Sequence, residues 1–239
     1  MKKNRLFGLM GLLVLLNACK SKDVTPIPAV AVSGTFSFES GLEGWQAGFA
    51  DYSEQAGVGI YELQASHSLV PSNLIPRTHA FLISGTNRSD DLFMFLKKQF
   101  TGLQPNQTYQ LTFELILASQ YPQNALGVGG SPGGSVYLKA GASQVEPKPV
   151  LHGDGNWWMN IDKNNQSQSG QDMQVLGTIG IEGNRFIYER ITRSNQANPM
   201  RVQADATGKL WLIVGTDSAF EGPTALYYDE IRVHFQPVQ

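Results

Sequence analysis

The sequence predicts an all-β chain, an antiparallel β-sandwich, and three observations carry that expectation. First, residues 108–118 (TYQLTFELILA) alternate cleanly: Tyr109, Leu111, Phe113, Leu115 and Leu117 on one side, Gln110, Thr112, Glu114 and Ile116 on the other. Period-two alternation of this length is the mark of a strand with one buried face. Second, about ten such segments follow one another, separated by Gly, Asn and Pro turns, and no long helical period occurs beyond the opening residues. Third, the composition suits loops and sheets: 25 glycines among 239 residues, with only 16% charged. At 41% hydrophobic the chain can bury one sizeable core, or at most two small ones.

The first element is not part of the fold. Residues 1–19 (MKKNRLFGLMGLLVLLNAC) have a basic start, an apolar run and a small-residue ending. That three-part order is a secretion signal, and its apolar run is too short for a comfortable membrane span. The ending Leu16-Asn17-Ala18-Cys19 resembles the lipobox of bacterial lipoproteins. The resemblance implies cleavage after residue 18 and acylation of Cys19, a multi-chain anchor that holds stably. Cys19 is the only cysteine, so no intrachain disulfide can form. Lys20 stands where enterobacterial lipoproteins retained in the inner membrane have Asp, which favours the outer membrane. Residues 19–33 read as a lipidated, semi-extended tether with two prolines. Loss of Lys2, Lys3 and Arg5 would leave 15 basic against 20 acidic residues, a net charge of −5. That is no surface for nucleic acid.

The sandwich is expected over residues 34–239. Residues 35–39 (TFSFE) begin it, and Trp45, after a two-glycine turn, is placed to plug one end. Residues 59–63 and 79–85 are short strand candidates, with Pro71 and Pro76 keeping the stretch between them irregular. Residues 92–100 (LFMFLKKQF), 135–140, 173–181, 185–193 and 200–204 are further strands. Residues 209–216 (KLWLIVGT) are apolar on both faces and should lie centrally. Residues about 119–172 form a long insertion. Within it, the Gly-rich 125–134 lacks the Lys-Ser/Thr ending of a phosphate loop and is taken as a surface loop. Residues 143–172 show no clear period, which marks them as functional or mobile.

The closing strand, residues 224–235 (TALYYDEIRVHF), directs Tyr227, Ile231, Val233 and Phe235 one way and Tyr228, Glu230, Arg232 and His234 the other. Asp229 then falls on the apolar side. A carboxylate there needs a cation or a cluster of donors.

Few residues announce chemistry. The four histidines stand apart, and neither a zinc spacing nor a GxSxG nucleophile turn occurs. Residues 162–173 begin like a calcium loop but have Ser167 and Met173 where Gly and Glu are required. Trp157 and Trp158 are the most suggestive pair. Adjacent aromatics in a polar loop can form a stacking platform for a sugar ring; alternatively one of them anchors the loop. Neighbours in an extended segment point opposite ways, so one in and one out is expected. Tyr121 is a candidate third contact. Asp217-Ser218-Ala219 resembles a short O-glycosylation signal of Bacteroidetes.

Three motifs in order, FSFESG (36–41) with Trp45, FTGLQPNQTY (100–109) and YYDEIRV (227–233), resemble the galactose-binding-like jelly rolls. These include many carbohydrate-binding modules of bacterial polysaccharide-degrading enzymes. The resemblance implies a jelly-roll sandwich whose first and last strands are adjacent, and a structural calcium ion shared by the opening-strand and closing-strand acids, here Glu39 and Asp229. Carboxylates satisfied by backbone N–H groups or by Arg are the alternative for this pair. The expected function is a lipid-anchored envelope binding module, more binding protein than enzyme, that recognises a glycan or a partner protein. A structural lipoprotein that binds an envelope protein, and a polysaccharide hydrolase or lyase, are the alternatives.

Overall fold

The computed structural model describes residues 29–88 and 90–239. The signal segment, Cys19 and most of the tether lie outside the described residues. In chain order the strands are β1 (Val32–Phe36), β2 (Gln46–Ala50), β3 (Tyr52–Ser53), β4 (Gln64–Leu69), β5 (His79–Thr86), β6 (Leu92–Phe100), β7 (Thr108–Ser119), β8 (Val136–Ser143), β9 (Pro149–Leu151), β10 (Asn156–Met159), β11 (Met173–Thr178), β12 (Glu189–Ser194), β13 (Met200–Gln203), β14 (Leu210–Ser218) and β15 (Pro223–Pro237). The chain is an all-β antiparallel sandwich, as the sequence predicts.

One layer has seven strands in the order β12-β7-β15-β5-β4, with β1 added to the far half of β15 and β13 to the far half of β7. The other has five, β11-β8-β14-β6-β2. The first and last strands pair directly, Val32 opposite Phe235 through Phe36 opposite Ile231. The central strand of the smaller layer is β14, buried along nearly its whole length, as its two apolar faces predict. The main core lies between the layers. Leu111, Phe113, Leu115 and Leu117 of β7 meet Leu92, Met94 and Leu96 of β6 and Leu212 and Val214 of β14 there. Trp45 is buried at the end of this core, edge-on to Phe36 at 5.5 Å.

Strand β6 is apolar on both faces, and its second face makes a second core. Phe93 and Phe95 point away from the sandwich interior and cluster with Ile213, Met173 and Ile161. They are roofed by a small third sheet, β3-β10-β9, and by residues 160–172. Glycine makes this layering possible. A Cβ on Gly141 of β8 would sit 1.9 Å from the Asp172 carbonyl oxygen, so only glycine lets the roof approach the sheet. The segment without visible period is therefore a cover: its strands are too short for alternation to register.

Three local expectations are corrected. Residues 58–61 form a 3-10 turn, not a strand, and the first strand ends at Phe36, with Phe38 buried in a left-handed turn at φ 59°. The closing strand does not alternate uniformly. Pairing of β15 with β7 slips between Tyr228 and Glu230, so Asp229 is the extra residue of a bulge. The slip puts Tyr228 in the core with Ile231, Val233 and Phe235, and Tyr227 on the opposite face.

Replacing Gly141 by Ala should push the cover off the sheet and cost on the order of 1–3 kcal/mol, the range of overpacked cores. Urea unfolding measures this; an unchanged midpoint would show that the roof is not held close by that contact.

Candidate functional site

Beneath the cover, five ionisable side chains meet on the outer face of the five-stranded sheet. Lys139 of β8 and Asp217 of β14 are fully buried, and their Nζ and Oδ2 atoms are 2.9 Å apart. Lys163, from the cover, reaches the same Asp217 oxygen at 2.8 Å and Asp51, just after β2, at 2.6 Å. Asp91, which precedes β6, lies within 4.8 Å of both Asp51 and Asp217. The network is also a clamp. Lys139 donates to the carbonyls of Lys163 and Asn164, and the Gln166 backbone N–H donates to Asp217 at 3.0 Å. Residues 163–166 are thus tied to two strands of the sheet by charge-assisted bonds.

Burial sets the protonation states. Asp91 is driven up from 3.8 to about 8, first by burial and then by the Asp217 carboxylate it shares a hydrogen bond with. The Oδ1 atoms of Asp91 and Asp217 are buried with no donor from another residue. One proton on Asp91 supplies the donor. Burial also raises Asp51, to about 6, against the pull of Lys163. Burial opposes charge on Asp217 too, but Lys163 and Lys139 outweigh it and hold that carboxyl below its ordinary value. Lys139 is lowered by burial, whereas Asp217 and Asp51 overcome burial at Lys163 and raise it. With Asp91 protonated, the two ammonium groups balance Asp51 and Asp217. Three acids together invite a cation, but here two lysines already supply the positive charge.

A pocket of about 410 Å3 opens above this network, lined by Trp158, Asp91, Asp162, Asn164 and Asn165 among others. In β10, Trp157 pairs with Tyr52 and Leu151, and Trp158 pairs with Val150. Trp157 therefore shares a sheet face with Met159, which packs on the second core, and Trp158 takes the other face, as expected of neighbours in a strand. Both indoles are half-buried. The Trp158 N–H donates to Asp154 at 3.0 Å and the Trp157 N–H to Glu54, which fixes both rings. The neck of the adjoining loop is held by backbone N–H groups. Asn164 and Gln171 donate to the Asp162 carboxylate, and Asp162 donates to that of Asp172. Those carboxylates do the work of turn closure, in keeping with the rejected calcium loop.

The other candidates lie elsewhere. Tyr121 is not beside the tryptophans. It is buried at the end of β7, accepts the Ala225 N–H at 2.7 Å, and lines a separate pocket of about 740 Å3. Asp229, at its bulge, is held by Arg190 at 2.6 Å and by the Thr78 hydroxyl at 2.5 Å. Glu39 is half-exposed and lies 3.6 Å from His79, whose ring stacks on His67. A guanidinium stands where an ion was expected, and both Asp229 oxygens are engaged. This donor set does not fit calcium, which wants six to eight oxygens. Ser218 is buried and donates to the Phe220 carbonyl, so the Asp217-Ser218-Ala219 signal is inaccessible in the folded chain.

No protein-family model matches the chain, and no curated protein matches it. Several solved structures resemble it. The K1 cleaved adhesin domain of Lys-gingipain from Porphyromonas gingivalis W83 is 11% identical over 84% of this chain and 97% of that one, with a TM-score of 0.37. The carbohydrate-binding module TmCBM61, solved with β-1,4-galactotriose, is 10% identical over 82% of this chain and 92% of that one, at 0.36. The enzymatically active domain of tailspike protein 4 of bacteriophage CBA120 is 11% identical over 84% of this chain, at 0.35, and the chain spans 20% of its length. At this level of similarity the likeness carries no argument about ligand, and the chemistry of the site has to come from its own side chains.

Two outcomes follow. The folded chain keeps a proton on Asp91 that the unfolded chain loses near pH 4, so stability should fall as pH rises from 4 to 8. Between pH 6.5 and 8.5 the melting temperature should drop by several degrees in the wild type and stay level in Asp91→Asn, which keeps a donor without titrating. A level wild-type curve would show that Asp91 holds no proton. Second, with Asp229 held by Arg190, EDTA should leave the melting temperature unchanged, and a fall would restore the calcium ion.

Proposed function

We propose that this chain is a non-catalytic glycan-binding module held at the cell envelope by lipid on Cys19, with the outer membrane as its location. The observation that carries the binding role is the Trp158 pocket. An indole pinned at its N–H borders a recess edged by carboxylate and amide groups of Asp162, Asn164 and Asn165. A pyranose ring has one apolar C–H face and a rim of hydroxyls. The face fits an indole, and the rim suits carboxylate and amide partners. Asp51 and Asp217 do not suit catalysis, because both are buried and neutralised by lysines. The lipid anchor rests on the resemblance of residues 16–19 to a lipobox. The alternative of an envelope-protein partner keeps the same surface, since the cover presents Val150 and Leu151 to solvent beside the tryptophans.

The test is a glycan array followed by titration calorimetry. Trp158→Ala should weaken binding at least about tenfold, or ~1.4 kcal/mol, and barely change the melting temperature. Trp157→Ala, on the packed face, should lower the melting temperature. Glycan binding unaffected by loss of Trp158 would remove the platform. In cells, Cys19→Ala should move the protein from the membrane to the soluble fraction, and retention in the membrane would refute the anchor.

A further inference from the structure

A second concavity lies where one end of the seven-stranded sheet gathers several strand termini: the start of β4, the end of β5, the start of β15 and the segment just after β7. Its volume, about 740 Å3, falls within the roughly 300–1,000 Å3 of small-ligand sites. Two loops supply apolar walls that no other described residue covers. Leu126, from the Gly-rich loop, is fully exposed, and Phe186, from the segment before β12, is 56% exposed. Large apolar side chains gathered around a recess mark an interaction site more than a lone exposed one does.

The floor is polar. Gln64, Ser84 and Gln120 line it, and Thr86 donates to the Glu62 carboxylate at 2.6 Å. Glu62 ends the 3-10 turn in a left-handed conformation, φ 49°, costly for a side chain of this kind. Thr224 borders the pocket but is only 3% exposed, and its hydroxyl is buried out of reach of the recess.

Charge narrows the ligand. Among the described residues no Lys, Arg or His lines this pocket, and Glu62 is the one acidic side chain there. Anions are therefore repelled. A purely apolar molecule would strand the amides and hydroxyls of the floor. We infer that this pocket is a second saccharide site, separate from the Trp158 platform and selective for uncharged sugars over uronates. It shares no lining residue with the platform, so the two sites are independent. It shares with the proposed function only the class of ligand.

The experiment compares wild type, Trp158→Ala, Phe186→Ala and the double variant on an array of neutral oligosaccharides and matching uronate oligosaccharides. Phe186 is exposed, so its replacement should leave the melting temperature unchanged. Trp158→Ala is expected to retain binding to at least one neutral glycan, with none to the matching uronate. Adding Phe186→Ala should weaken that binding at least tenfold, and Glu62→Gln should reduce the discrimination against uronate. Loss of all binding in Trp158→Ala would overturn the second site and leave the platform standing. Binding lost in Phe186→Ala but untouched in Trp158→Ala would uphold the second site and remove the platform. Array signal absent from the wild type would overturn both.

Discussion

The contact between Lys139, Asp217 and Lys163 is the constraint on which the arrangement of this protein depends. A single aspartate oxygen, with no access to water, receives two ammonium groups and a backbone N–H. Removing one partner from such a group leaves a buried charge uncompensated, which is strongly destabilising, whereas the intact set contributes modestly. Its role is therefore one of position. Two strands of the smaller layer contribute Lys139 and Asp217, and the cover contributes Lys163 and its carbonyls. These bonds fix the cover against the sheet in the register that places Trp158 beside Asp162, Asn164 and Asn165.

The second core explains why the cover is needed. Strand β6 carries Phe93 and Phe95 on the face away from the sandwich interior, and β14 adds Ile213. Without the small sheet and residues 160–172 these rings would face water. Burying a side chain of that size contributes roughly 1.5–3 kcal/mol. Apolar burial thus drives the cover onto the sheet, and the ion network selects how it sits. The other layer makes a similar use of a charged pair. At Asp229 an extra residue bends β15, and Arg190 of β12 and Thr78 meet the carboxylate the bulge turns outward.

Much of the fold was legible in the sequence because long strands with one buried face leave a period of two. Strands β7 and β15 were readable for that reason, β6 and β14 as short, nearly unbroken apolar runs covered on both faces, and the adjacency of the first and last strands through the family resemblance. Strands β3, β9 and β10 are two to four residues long and could not show a period. The bulge at Asp229 was invisible because one inserted residue inverts every parity beyond it. For the site, the split facing of Trp157 and Trp158 followed from strand geometry, while the separation of Tyr121 from them did not. The ion network was missed. Its signal was present: Lys139 in SVYLKA and Asp217 at the end of KLWLIVGTD are charges inside strands otherwise apolar on both faces. Their partners, Asp51, Asp91 and Lys163, come from three distant segments that no local pattern connects.

The central claim is that the Asp217 network docks the cover. Hydrogen exchange in wild type and Asp217→Asn tests it most directly, because the amide of Gln166 donates to Asp217 itself. Amides of residues 156–172 should lose protection in the variant while those of β7 and β15, on the other side of the main core, keep theirs. Equal protection of residues 156–172 in both proteins, or a uniform loss throughout the sandwich, would contradict it.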